Sequence, residues 1–229
     1  MLRTDSDIVE VGLEIDWSDI ISWIVKRVGN TFYECPDCFF TEHDIHSVLY
    51  NVANGELQLY GLTNPQRTSD GHQVGLVHHE YPTPFRCDME GYKFEKKNEK
   101  PYKRGHYDLA ILNPEFVRNN ELSVVCGKDY QKFKSAMQEV KVTPLIWICE
   151  VMFFPRVKRL PKNALKIIEQ DTLKVKETLN HKVNDNVCFC KTGSILVFTS
   201  HTAEEATKLK QEVTRLGKKH EIEVILSTA

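Results

Sequence analysis

The chain of 229 residues is 41% hydrophobic and 27% charged, which is typical of a globular protein and excludes disordered, collagen-like and coiled-coil chains. Its longest apolar runs are far too short to cross a membrane, and its N-terminal residues lack the apolar core of a secretory signal. We therefore expect a cytoplasmic protein without membrane contact, in which the seven cysteines are reduced thiols.

Charge is distributed unevenly along the chain. Residues 1–56 contain eleven acidic and three basic residues, whereas 93–104 has six basic and two acidic residues and 156–182 has eight basic and three acidic residues. Basic segments on a nearly neutral chain are typical of a surface that binds nucleic-acid phosphates, but also of ordinary solvated surfaces. Charge alone therefore leaves both interpretations open.

The beginning of the chain is predicted to be mainly helical. Apolar residues at helical spacing predict a helix-rich segment over 5–30, which Gly29 is placed to end. Thr41 and Asp44 form a capping-box pattern. The helix that they begin is expected to end near 54–55.

Strands and helices then alternate along the chain. Strands are predicted over 73–81, where Pro82 stops the first of them, over 106–112 and over 144–154. The third is almost wholly apolar, which is typical of a strand covered on both faces. The remaining predicted elements are a helix over 127–140, an amphipathic helix over 161–180, strand-like runs within 187–199, a helix over 203–217 that Gly217 ends, and a last strand over 221–227. This order predicts an α/β fold with a mixed central sheet flanked by helices.

Three consecutive predicted strands each carry a carboxylate near one end. Glu150 lies within the most apolar segment of the chain, Asp108 lies in the preceding strand, and Glu80 ends the strand before that. An ionised carboxylate in apolar surroundings must be paired, protonated or bound to a cation. If the strands are neighbours, the three acids converge, and a divalent cation would relieve their repulsion. The alternative is that each acid forms a structural ion pair of its own.

This order of elements and acids resembles the PD-(D/E)xK nuclease superfamily, whose members share a restriction-endonuclease-like fold. The resemblance covers about 40–200 and lies in the segments RGHYDLAIL with Asp108, IWICEVMF with Glu150 and HHEYPTPFR with Glu80. The motif itself is short and degenerate. The order of the elements therefore carries most of the resemblance.

The resemblance implies a domain organisation and an activity. A nuclease-like domain with an αβββαβ core would span 36–229, and 1–35 would be a helical N-terminal extension that docks on it or contacts a second copy. The implied activity is hydrolysis of phosphodiester bonds in nucleic acid, with DNA as the expected partner and Mg²⁺ or Mn²⁺ as the cofactor. Asp108 and Glu150 would bind the metal, with Glu80 as a further ligand or as a base that orients the attacking water.

The chain departs from this superfamily at the third motif position. A lysine is expected two residues after Glu150, where it would orient the attacking water and stabilise charge on the phosphate oxygens, but Met152 stands there. Three explanations are open: the lysine has migrated into the following segment, a second metal replaces it, or the site is catalytically silent. The lysines available in that segment are Lys158, Lys162, Lys166 and Lys174, of which Lys158 and Lys162 are our catalytic candidates.

The resemblance also assigns supporting roles. Arg86, Lys103 and Arg104 are candidates for contacts with the flanking phosphates, although ion pairs within the protein would explain the two arginines equally well. A glutamate of the first core helix is often part of such sites, and Glu42 or Glu56 could serve. Glu42 also fits a plain first-turn position that the helix dipole favours.

Other classes of function stay open. A catalytically silent domain of the same fold would bind nucleic acid or a protein partner without cleaving it. A small-molecule or regulatory domain would use the acids as structural ion pairs. The sequence contains no glycine-rich phosphate-binding loop and no metalloprotease motif, which disfavours those enzyme classes. Many nucleases of the superfamily act as homodimers, so a homodimer is compatible with the nuclease interpretation.

A second metal site is conceivable near the start of the predicted nuclease-like domain. Cys35 and Cys38 have the spacing of a zinc-ligand pair, and His43 and His46 follow. The gap before His43 is too short for a zinc finger, and both histidines fall in the first turns of a predicted helix. We therefore regard zinc binding as the weaker interpretation, with His46 as a surface residue.

Overall fold

The structure is a computed structural model that describes residues 15–62, 65–87, 103–156 and 160–228. Seven α-helices and nine strands lie in these ranges, together with a short 3-10 helix at Pro36–Cys38. The helices are α1 (Trp17–Glu34), α2 (Glu42–Leu59), α3 (Pro114–Asn119), α4 (Leu122–Val125), α5 (Tyr130–Met137), α6 (Ala164–Asn180) and α7 (Ala203–His220). The strands are β1 (Gln66–Arg67), β2 (Gln73–Val74), β3 (Val77–Cys87), β4 (Lys103–Leu112), β5 (Leu145–Phe154), β6 (Lys182–Asn184), β7 (Val187–Cys188), β8 (Cys190–Thr199) and β9 (Glu223–Thr228).

Five of the strands form one mixed sheet in the spatial order β3-β4-β5-β8-β9. Strands β3, β4 and β5 pair antiparallel, whereas β5, β8 and β9 pair parallel. Parallel neighbours need a crossover connection, and α6 and α7 lie in the two crossovers. The predicted α/β class with a mixed central sheet is therefore confirmed. No helix of the described ranges combines the length and the apolar composition that a membrane crossing requires.

The hydrophobic core surrounds β5. All residues of this strand except Phe153 are buried, as the sequence predicts for a strand covered on both faces. Trp147 is fully buried, and its indole N–H donates to Ser194 Oγ on β8 (2.9 Å). The one polar atom of this large side chain is thereby satisfied, so the ring contributes its full apolar area to the core.

Helix α1 packs into this same core. Its N-terminus is capped by Asp16, whose carboxylate accepts a hydrogen bond from the backbone N–H of Ser18. One face of the helix is buried, and its side chains, including Ile24 and Phe32, belong to the same hydrophobic cluster as the sheet. A boundary between an extension over 1–35 and a domain over 36–229 stays a prediction.

Gly29 does not end α1, contrary to the prediction, and the helix continues to Glu34. A Cβ atom at Gly29 would lie 3.1 Å from Ser227 Oγ of β9. The glycine therefore permits a close approach between helix and strand. Its function is packing rather than termination.

Strand β3 continues past Pro82, contrary to the prediction that this proline stops it. Proline has no backbone N–H to donate, so a strand tolerates it only at a sheet edge or at a bulge. Both conditions hold here, because β3 is an edge strand and its pairing with β4 shifts register between Pro82 and Arg86. Pro82 therefore coincides with a shift in the pairing of β3 with β4, but it does not end β3.

Two helices extend beyond their predicted ends. The capping box of Thr41 and Asp44 is present at the start of α2, but the helix runs on from 54–55 to Leu59. Helix α7 likewise passes Gly217, where a Cβ atom would lie 2.9 Å from the carbonyl oxygen of residue 222. Gly217 therefore makes room for the strand that follows the helix.

The sequence did not indicate the short helices α3 and α4. Asn113 and Pro114 mark the end of a strand, but they also begin α3, because Asn113 accepts the backbone N–H of Glu115 and Pro114 occupies the first helical position. The same dipeptide thus serves both elements. A strand end and a helix start use the same turn chemistry.

Cys35 and Cys38 form a disulfide bond, so the prediction of reduced thiols is wrong for this pair. Zinc is bound by free thiolates, and neither sulfur is free in this state. The zinc interpretation of these two cysteines therefore does not hold. The free cysteines of the described residues are Cys126, Cys149, Cys188 and Cys190.

Candidate active site

The candidate site lies where two neighbouring strands of the sheet separate. The paired residues of β4 and β5 end at Leu109 and Cys149, and Asp108 and Glu150 follow directly. At this point the Asp108 carboxylate accepts the hydrogen bond of the Val151 backbone N–H (N to Oδ2, 2.7 Å). The Asp108 side chain thus takes the place of a backbone acceptor of β4, beyond the last paired residues of the two strands. This hydrogen bond holds the Asp108 side chain next to Glu150.

Glu150 is a buried carboxylate that is only half satisfied. Its side chain is 3% exposed, and Oε2 lies 2.6 Å from Nζ of Lys174 on α6. The second oxygen, Oε1, is buried and has no hydrogen-bond partner among the described residues. Burial raises the pKa of Glu150 well above its usual value, and the Lys174 ammonium opposes that rise.

Lys174 reaches the two strands from the buried face of α6. Ile168 and Val175 lie on this face, so the aliphatic part of the lysine packs among apolar side chains while its ammonium meets polar atoms. Nζ donates to the carbonyl oxygen of His106 on β4 (3.1 Å) and lies 3.5 Å from Asp171 Oδ1. One ammonium group therefore links α6 to β4 and β5.

Helix α2 adds a further acid to the site. Glu42 Oε2 accepts a hydrogen bond from the Phe153 backbone N–H of β5 (3.3 Å). Although 46% of its side chain is exposed, burial of the carboxyl group, and then the charge of Asp108, raises the pKa of Glu42 to about 7. The other candidate on this helix, Glu56, pairs with Arg27 (3.0 Å). Of the two glutamates, Glu42 is therefore the one at the site.

His46 is buried beside two of the acids, so its predicted surface location is wrong. Its Nε2 lies 3.7 Å from Asp108 Oδ2 and 4.0 Å from Glu42 Oε1 and has no hydrogen-bond partner in the described structure. Burial, and then the charges of His79 and His43, lowers the pKa of His46 to about 4. The imidazole is therefore neutral at pH 7 and adds no positive charge to the acids.

Asp108 also holds its proton more tightly than an ordinary aspartate. Burial, and to a smaller extent the charges of Asp171 and Glu80, raises its pKa to about 6, against the opposing effects of the Val151 N–H and the Lys174 ammonium. Several acids with raised pKa values around one ammonium group are typical of functional sites, although structural ion-pair networks produce the same pattern. A further cation would find a favourable potential here.

The raised pKa of Asp108 predicts a specific dependence of stability on pH in the metal-free protein. A carboxyl group whose pKa is higher in the folded than in the unfolded state stabilises the fold at low pH, and this stabilisation is lost as pH rises through the folded-state pKa. The contribution of Asp108 should be complete below pH 3.8 and absent above about pH 6. We expect it to amount to roughly 3 kcal/mol.

Urea denaturation in the presence of a chelator measures this contribution. The free energy of unfolding of the wild type should fall more steeply between pH 4 and pH 7 than that of Asp108→Asn, which cannot titrate. Equal slopes for the two proteins would show that Asp108 does not titrate in this range.

Two of the remaining predicted residues lie apart from this cluster. Glu80 is exposed on the edge strand β3 with a backbone φ of 52°, and only its charge reaches Asp108. Lys162 is exposed before the start of α6, and no ion pair joins it to an acid of the described structure. Lys158 lies outside the described residues. The structure therefore brings Lys174, and not Lys162, to the acids.

The basic residues predicted to contact nucleic acid lie at the end of the β3–β4 pairing. Arg86 faces Arg104 across the two strands, and Lys103 pairs with the neighbouring residue 87. Their side chains lie outside the described part of the structure. A role in phosphate binding stays a prediction.

His46 and Asp171 were not assigned to this site by the sequence analysis. Asp171 precedes Lys174 by three residues on α6, a spacing that brings two charges together on one helix face. Lys174 also occupies an apolar position of that helix, beside Val175. A charged pair on the buried face of a helix was therefore the available signal, whereas the location of His46 depends on how α2 packs on the sheet.

Comparison with known proteins gives no match. No protein-family model matches the chain, no curated protein is significantly similar to it, and no solved structure matches its fold. The resemblance to the PD-(D/E)xK superfamily therefore stays a prediction. The function of the chain is therefore inferred from the geometry of the site.

Proposed function

We propose that this protein is a metal-dependent nuclease with a restriction-endonuclease-like core and a PD-(D/E)xK-type active site. The observation that supports this most strongly is the position of Lys174. The motif lysine would lie two residues after Glu150, where Met152 is buried instead. Lys174 brings an ammonium group to that same carboxylate from α6, at 2.6 Å. This arrangement fits a lysine that has migrated from the strand to the following helix.

The donor atoms of the site fit a hard divalent cation. Mg²⁺ and Mn²⁺ prefer carboxylate oxygens, and the site offers the carboxylates of Asp108 and Glu150, with Glu42 and Asp171 beside them. The buried Oε1 of Glu150 has no hydrogen-bond partner among the residues that the structure describes, so it could serve as a ligand. As the described side chains stand, no three His, Cys, Asp or Glu residues form a ready-made metal-binding group. Side chains of the site would therefore have to move closer together when the metal binds.

The residues of the chain would divide the work of phosphodiester hydrolysis. A metal ion bound by Asp108 and Glu150 would supply a water of lowered pKa and polarise the scissile phosphate. The Lys174 ammonium would orient the attacking water and stabilise the negative charge that develops on the phosphate oxygens. The Val151 N–H keeps Asp108 in place. The neutral His46 ring helps to exclude water from the acids.

The direct test is a cleavage assay with end-labelled single-stranded and duplex DNA and RNA. We expect the purified protein to cleave at least one of them with Mg²⁺ or Mn²⁺ and none with a chelator. Binding of DNA without cleavage would favour the catalytically silent alternative, in which the pair of Glu150 and Lys174 is purely structural. A homodimer and the preference for DNA are further parts of the proposal, which sedimentation and the choice of substrates address.

Metal binding itself predicts a change in thermal stability. A ligand at a hundred times its Kd stabilises the folded state by about 2.7 kcal/mol, which for a chain of this size corresponds to a rise of roughly 5 to 10 °C in Tm. We expect Mn²⁺ to raise the Tm of the wild type by this amount and to leave that of Glu150→Gln nearly unchanged. Differential scanning fluorimetry measures both, and an equal rise in the two proteins would place the metal elsewhere.

A further inference from the structure

A stack of three rings lies next to the candidate site. Tyr50 and His46, one turn apart on α2, both stack against His79 of β3, with ring centroids 4.8 Å and 6.0 Å away and interplanar angles of 22° and 26°. The His79 ring is also tied to the site itself. Its Nδ1 lies 3.1 Å from the backbone carbonyl oxygen of Asp108, and since a carbonyl can only accept, Nδ1 carries the hydrogen.

The His79 ring stays accessible in spite of these contacts, because His79 is exposed to solvent. Tyr50 and His46 lie four residues apart on one face of α2, so a single helix holds both rings against His79. The ring is therefore an accessible flat surface whose position is fixed by stacking and by its contact with the backbone of Asp108.

We propose that His79 is a base-stacking platform, and that the substrate is consequently a nucleic acid with an unpaired base beside the scissile phosphate. This inference rests on the nuclease function proposed above. Within a duplex both faces of a base are covered by its neighbours, so a side chain stacks on a base only in single strands, at ends or on a flipped nucleotide. Because His79 contacts the backbone of Asp108, a nucleotide whose phosphate reached a metal ion at this acid would bring its own base, or that of its neighbour, close to the His79 ring.

Stacking predicts that binding depends on the bases as well as on the phosphates. Removal of one stacked aromatic partner weakens binding by an amount that corresponds to about five- to 150-fold in Kd. We therefore expect metal-free wild-type protein to bind oligothymidylate more tightly, by about this factor, than an abasic oligomer of equal length. In His79→Ala this preference should disappear, whereas His79→Phe, which keeps a flat ring, should retain it.

Fluorescence anisotropy with labelled oligomers in a chelator measures all of these affinities without any cleavage. His72→Ala is the matched control, because His72 is an exposed histidine in the separate hairpin of β1 and β2. The stacking proposal would be refuted if the wild type bound both oligomers equally well. It would also be refuted if His79→Ala kept the full preference for oligothymidylate. Failure of the nuclease proposal looks different, since it would appear as absent metal-dependent cleavage while the His79-dependent preference persists. Cleavage of duplex DNA alone would retain the nuclease and reject the platform.

Discussion

Asp108→Asn should lose metal-dependent cleavage while the protein stays folded. The asparagine side-chain oxygen can still accept the hydrogen bond of the Val151 N–H, so the separation of β4 and β5 is preserved. What disappears is the negative charge that would hold the cation in the proposed mechanism. We expect a loss on the order of 10²- to 10³-fold or more, comparable with the removal of a principal electrostatic contribution to catalysis.

The experiment compares initial cleavage rates at saturating Mn²⁺ for the wild type, Asp108→Asn and Glu150→Gln. Asp185→Asn provides the matched control, because Asp185 is exposed in the turn between β6 and β7 and lies outside the site. Thermal denaturation monitored by circular dichroism verifies that each variant is folded. Full cleavage by either site variant would refute the assignment of the metal-binding acids.

The fold class could be predicted because its strongest signals are local. The apolar run of β5 identifies a doubly covered strand, and the capping box at Thr41 identifies the start of α2. The errors arise at residues whose type is compatible with two different local structures. Glycine is common at helix ends, but at position 29 it is explained by the close approach of β9 to the helix. Pro82 fits a strand end, but an edge position tolerates it. Both depend on neighbours that are distant in sequence.

The residues of the site could also be predicted only in part. Asp108 and Glu150 could be predicted because a charge in an apolar strand is anomalous wherever the strand lies. The lysine of the proposed mechanism could not be singled out, because several lysines follow the motif and the orientation of α6 decides which of them reaches back to the sheet. That orientation buries Lys174 and leaves Lys162 exposed. Sequence patterns therefore identify the anomalous charges, and packing supplies their partners.

Lys174→Met should also abolish cleavage, and its effect on stability should depend on pH. The variant removes the ammonium that would orient water and stabilise charge in the transition state, so we expect a loss of roughly 10²- to 10³-fold. It also leaves Glu150 buried without its partner, which typically costs about 3–5 kcal/mol while the carboxylate is ionised. Because burial already raises the pKa of Glu150, the carboxyl can take up a proton and avoid much of this cost.

The sign of the pH dependence follows from this protonation. A group with a raised folded-state pKa stabilises the fold at low pH and loses that effect as pH rises, so Lys174→Met should be closest to the wild type in acid and fall behind it in alkali. Adding Glu150→Gln to this variant removes the titrating group. The double variant should therefore lose the additional pH dependence, but it should not regain activity.

Lys162→Met tests whether the catalytic lysine is Lys174 or Lys162, which the sequence analysis proposed. Lys162 is exposed just before the start of α6, so its loss should leave both cleavage and stability close to those of the wild type. Single-turnover cleavage rates and urea denaturation at two pH values, applied to both lysine variants, give a complete comparison. If Lys174→Met cleaved normally and Lys162→Met did not, the ion pair of Lys174 with Glu150 would be structural. Lys162, in the exposed turn before α6, would then be the catalytic lysine.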